Sequence, residues 1–166
     1  MNTQADLSSM LAWAEAQGMQ NLREHAGAID SLKGEITTTL GFVLTGACAV
    51  FAYVAHAFGV GAWHTPLAVA ACAAACWLYA ICIALAAFGL RVGNCAPSAN
   101  EPLLLWVPDQ PFENVRLGQM HNVHAGIQDA KEREDRMAAI LNGSRWATIF
   151  TPPLFVIAYL VSAHLF

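Results

Sequence analysis

Residues Ile36–Phe58, ITTTLGFVLTGACAVFAYVAHAF, contain no Asp, Glu, Lys or Arg. As a helix this stretch covers about 34 Å at ~1.5 Å per residue, enough to cross a hydrocarbon core of ~30 Å. In lipid every backbone N–H and C=O must be satisfied within the segment, so a helix is the only economical conformation for an isolated run of this kind. The rest of the chain is read outward from that constraint.

Two further apolar blocks occupy 66–90 and 146–166, and charged residues make up only 12% of the 166 residues. Soluble domains carry about 25%. The expected fold is therefore all-α and polytopic: a cytoplasmic amphipathic helix over 1–35, a first span over 36–58, and an outer turn over 59–65. A second span over 66–90, a cytoplasmic connector and charged helix over 91–145, and a third span over 146–166 complete it. The turn is short enough to make the first two spans an antiparallel hairpin, and Pro66 stands where a helix naturally starts. Pro152-Pro153 is expected to kink the third span near its beginning. An alternative lays 146–166 on the membrane and leaves two spans.

All eight basic residues, Arg23, Lys33, Arg91, Arg116, Lys131, Arg133, Arg136 and Arg145, fall on one side of the three-span arrangement. The positive-inside rule then places the N-terminus in the cytoplasm and the C-terminus outside. No cleavable signal peptide is read in the first 35 residues. A net charge of −4 without a basic stripe excludes a nucleic-acid partner.

Residues 4–35 carry a stripe of Leu7, Leu11, Ala14, Gly18, Leu22, Ala26, Ile29 and Leu32 at spacings of three and four. Glu15, Gln17, Arg23 and Asp30 are assigned to the opposite surface. Met120, Val123, Ile127, Met137, Ile140 and Leu141 give 112–142 a similar stripe, and Asn142-Gly-Ser-Arg145 is read as the punctuation that ends that helix. In the first span Gly41, Thr45, Cys48 and Ala52 line one face, where small side chains let helices approach closely in lipid. They are assigned to helix packing in a homo-oligomer. Leu103–Val107 within the Pro-rich connector reads as a short strand or an interfacial patch.

Four of the five cysteines lie in the spans and behave as small apolar residues. His56, His64 and His164 gather near the outer face, and His121 and His124 share a helix face; both sets are read as surface or interfacial histidines rather than metal ligands. No nucleophile elbow, phosphate loop or membrane-embedded carboxylate is present in the sequence. The expectation is a protein without enzymatic activity, metal or cofactor.

Asp30-Ser31-Leu32-Lys33-Gly34 enters the first span, and Asn142 and Arg145 enter the last. The layout resembles the small Pycsar-type membrane effectors of antiphage systems signalled by cyclic nucleotides. Those proteins carry an Asp-x-Lys-Ala-like motif at the first place and polar residues at the second. Here the motif is one residue longer, with Gly in place of Ala. The resemblance implies an oligomer in the bilayer that breaches the inner membrane when its cytoplasmic part binds a cyclic nucleotide. It also implies Asp30, Lys33, Arg116, Arg133, Asn142 and Arg145 as ligand-binding residues. Two other expectations stand beside it: a non-enzymatic anchor or scaffold subunit of a larger complex, and a holin-like pore former.

Overall fold

The computed structural model describes residues 3–90 and 112–165, with side chains from 9 to 90 and from 114 to 165. Every described element is helical. α1 runs Thr3–Gly59 without a break, α2 spans Pro66–Ala84 and continues into one π-helical turn at Leu85–Gly89, α3 spans Phe112–Ile149, and α4 spans Thr151–Leu165. Two helical stretches, Ser9–Gly59 and Pro66–Gly89, are long and apolar enough to cross a membrane, and α3 with α4 adds a third if the bent pair is one span. The expected strand or patch at Leu103–Val107 lies outside the described residues.

The chain divides into two compact units, Met1–Ser31 with Val92–Arg136 and Leu32–Arg91 with Met137–Phe166. They are called here the polar and the apolar unit. In the polar unit α1 and α3 run parallel, because partners rise together in both: Glu15 meets Arg116, and His25 meets Glu134. Burial picks out a seam of Leu11, Glu15, Gly18, Leu22, His25 and Ile29 on α1. Its counterpart on α3 is Arg116, Met120, Val123, Ile127, Ala130 and Glu134. Both alternate steps of four and three, the 3.5-residue period of a coiled-coil seam.

This corrects the stripe expected from the sequence at two positions. Glu15 faces inward rather than to solvent, and His25 takes the place assigned to Ala26, which is exposed. Period, rather than polarity, decided which residues turned inward. Gly18 makes the fit possible: a Cβ there would meet Val123 Cγ1 at 3.1 Å.

In the apolar unit α1 and α2 form the expected hairpin. Ala62 N–H bonds back to Ala57 C=O, Gly61 takes a φ of +73°, and Thr65 caps α2 by accepting from Ala68 N–H at 3.3 Å. Pro66 occupies the first helical turn, where its missing N–H costs nothing. Ile36, Val43, Ala47, Val54 and Ala57 form the buried face of α1. α2 runs antiparallel to α4 and the end of α3: Pro66 C=O accepts from the Ser162 hydroxyl of α4, while the Trp77 indole donates to Ala147 C=O of α3.

The expected stop at Asn142–Arg145 is absent, and α3 continues to Ile149. A single internal glycine costs a helix only about 1 kcal/mol. Leu141 and Ser144, on either side of Gly143, are buried, and their packing outweighs that cost. The break comes instead at Phe150, where the helix turns by 42°. Pro152 and Pro153 have no N–H to give to the preceding turn, which is the usual origin of such a bend.

Candidate functional site

Two places concentrate polar chemistry, one in each unit. In the polar unit the Arg116 guanidinium grips Glu15 with two hydrogen bonds, Nε to Oε1 at 2.9 Å and Nη2 to Oε2 at 2.8 Å. Both groups sit on seam positions, where a two-pronged Arg–carboxylate pair adds directionality as well as attraction. The hydrogen bond from Arg116 holds the Glu15 carboxyl below its ordinary value against the opposing pull of desolvation. The same bond raises Arg116 further above its already high value. Further along the same seam, His25 Nδ1 lies 2.7 Å from Glu134 Oε2. Polar pairs in a coiled-coil seam specify register at some expense of stability, and here two of them bracket the thin apolar part of the seam. Beside them a cleft of about 490 Å³ is lined by Ala12, Ala16, Met19, Met120, Val123 and Ile127, among others.

The second place is the polar edge of the apolar unit. Glu35 and Arg145 pair at 2.8 Å, each side chain about half exposed. One residue on, Ile36 is fully buried, and a Cβ on Gly89 would meet its Cγ2 at 3.1 Å. Ile36, Leu85 and Leu141 are the largest completely buried side chains, one each from α1, the π turn and α3. The π turn brings Gly89 to Ile36; its closing bond runs from Leu90 N–H to Leu85 C=O at 3.1 Å. Single π turns inside α-helices recur where function demands an irregular helix.

The six residues implied as ligand-binding are distributed over both units. Asp30, Arg116 and Arg133 belong to the polar unit; Lys33, Asn142 and Arg145 belong to the apolar one. Arg116 is committed to Glu15 and Arg145 to Glu35. Asn142 and Asp30 are exposed, and Lys33 and Arg133 are half-buried. None of the six lines the α1–α3 cleft or the shallower one between α2 and α4. An anion arriving at Arg116 has to compete with a carboxylate already in place.

Gly41, Thr45, Cys48 and Ala52 are exposed, and a Cβ on Gly41 would meet nothing within 4 Å. They lie outside the buried face of α1, and the Thr45 hydroxyl bonds back to Gly41 C=O at 2.8 Å. Among the described residues no three His, Cys, Asp or Glu side chains are placed to hold a metal ion. His56 and His164 are exposed, and His64 lies against Trp63.

The structure adds four residues that the sequence reading did not single out as contacts: Glu15, His25, Trp77 and Gly89. The 3.5-residue period carried the signal for the first two. Nothing in the sequence named Trp77 as a donor to Ala147 C=O.

Comparison with protein-family models, with curated proteins and with solved structures gives no match.

Proposed function

We propose that the protein is an oligomeric membrane effector of the inner membrane. Its polar helical pair receives a trigger, and its apolar bundle responds by compromising the bilayer, as in antiphage defence. The observation that carries this reading is that α1 and α3 each contribute to both units. The helices joined through the Glu15–Arg116 and His25–Glu134 pairs are the same ones that form the apolar bundle. A trigger that loosens the polar seam thereby acts on helices that enter the membrane. The π turn and the proline break give that bundle two places where helix geometry is already irregular.

A cyclic nucleotide is the trigger that the resemblance implies. To reach Arg116 it would displace Glu15, so binding and loosening of the seam would be one event. Orientation with the N-terminus in the cytoplasm follows from the one-sided basic residues.

A second reading, a non-enzymatic anchor for a soluble partner, draws on exposed apolar side chains in the polar unit. Met10 and Trp13 are each 68% exposed, one helical turn apart, and Leu117 is 51% exposed.

Inducible expression in bacteria with a potential-sensitive dye separates the two. Depolarisation by the wild-type chain, alone or with a co-expressed nucleotide cyclase, supports the effector if Glu15→Arg alters it. Full membrane insertion with an unchanged potential under both conditions leaves the anchor.

A further inference from the structure

Asn142, Arg145, Trp146, Ile149 and Phe150 follow one another at helical spacings along the end of α3 and the break after it, and all five are exposed. Residues three and four apart share a helix face, so they form one strip. Its chemistry is ordered. Hydrogen-bond donors come first: the Asn142 amide, the Arg145 guanidinium and the Trp146 indole N–H. Beyond them the strip is hydrocarbon, with Ile149 62% and Phe150 57% exposed. The Trp146 and Phe150 rings lie 6.5 Å apart and tilted, so the aromatic surface is continuous from the donors to the apolar end.

Arg145 gives an Nη2 N–H to Glu35. A guanidinium has five N–H donors arranged as a fork, and this one is about half exposed. It can hold the carboxylate on one edge and a second oxyanion on the other. A phospholipid presents the matching order of chemistries, an anionic phosphate followed by an acyl chain. We propose that this strip binds an anionic phospholipid, with its phosphate at Asn142, Arg145 and Trp146 and one acyl chain along Trp146, Ile149 and Phe150. The proposal rests on the membrane reading above and assigns these residues a ligand that reading does not require.

The test uses the full chain reconstituted in phosphatidylcholine vesicles containing phosphatidylglycerol, with bromine on the acyl chains of one lipid at a time. Tryptophan quenching by each brominated lipid reports which one sits beside the protein, and Trp146→Phe isolates the share due to Trp146. The expected result is a preference of about fivefold for phosphatidylglycerol at Trp146, the factor for one arginine at an anionic surface. Arg145→Gln should abolish it. Asn142→Ala, which leaves the Glu35–Arg145 pair intact, should reduce it. Equal quenching by both lipids in the inserted wild-type chain overturns the lipid site and leaves the membrane reading standing. Loss of the preference on adding millimolar glycerol phosphate also overturns it, in favour of a site for soluble phosphate esters. A chain that fails to insert at all overturns both.

Discussion

Glu15 and Arg116, far apart in sequence, close a two-pronged ion pair in the seam between α1 and α3. Because Arg116 depresses the Glu15 carboxyl, the folded state holds that group ionised more firmly than the unfolded chain does. Stability from the pair is therefore fully present above the ordinary glutamate value of about 4.3 and drains away as pH falls through the lower folded value. Thermal unfolding in detergent, followed by circular dichroism between pH 7 and pH 3, should show a steeper acid loss in the wild type than in Glu15→Gln. At neutral pH Glu15→Gln should melt a few degrees lower. Parallel pH profiles for the two proteins would remove the pair from the account.

Gly18 and Gly27 offer a contrast within one helix. A side chain at Gly18 runs into Val123, whereas one at Gly27 meets nothing within 4 Å. Gly18→Leu should destabilise by about 1–3 kcal/mol through overpacking, and Val123→Ala should recover part of that. Gly27→Ala should instead stabilise by about 0.5–1 kcal/mol, since alanine gives up less chain entropy in a helix. Chemical denaturation of the three variants in the same detergent measures the signs.

Trp77→Phe keeps an aromatic side chain, though a smaller one, and deletes the N–H that reaches Ala147 C=O at 3.0 Å. An unsatisfied carbonyl in an apolar setting costs about 1–3 kcal/mol. The Thr151 hydroxyl, 3.4 Å from the same oxygen, recovers some of it. The loss should shrink further when Pro152 and Pro153 are both replaced by alanine, because a straighter helix then brings the Thr151 N–H, the regular helical donor to Ala147 C=O, onto that oxygen. A double-mutant comparison of melting temperatures decides whether the indole serves the break.

Gly34 is exposed, and a Cβ there meets nothing within 4 Å. Gly34→Leu should leave the stability of the protomer unchanged or slightly raised. If the outward side of α1 meets other copies, the same change should lower the oligomer mass in native mass spectrometry. An unaltered oligomer would leave that face to lipid.

Composition alone marked the apolar blocks, because a chain segment without charge over the thickness of a bilayer has few alternatives. The hairpin was equally legible: Gly61, Thr65 and Pro66 each carry a local conformational preference that survives in the fold. What escaped the sequence was longer in range. Asn142-Gly143-Ser144 has the chemistry of a helix end, yet buried Leu141 and Ser144 carry α3 through it. Glu15 and His25 look like surface residues until their spacing is measured against a 3.5-residue seam. The candidate site suffered most. Arginines read as open phosphate partners turn out to be held by Glu15 and Glu35, and only tertiary structure reveals which cations already have acids beside them.

The π turn at Leu85–Gly89 makes chain length, rather than residue type, the variable with slack at that point. One π turn accommodates a single residue more than an α-helix of the same rise. Removing Ala86 or Ala87, both exposed, should let the turn relax to α geometry and leave the phase of the helix beyond it unchanged. Gly89 would then keep its place against Ile36. A deletion here should thus disturb the packing at Ile36 less than removal of the equally exposed Ala80 from the regular part of α2, which would turn the residues after it by roughly 100° about the helix axis.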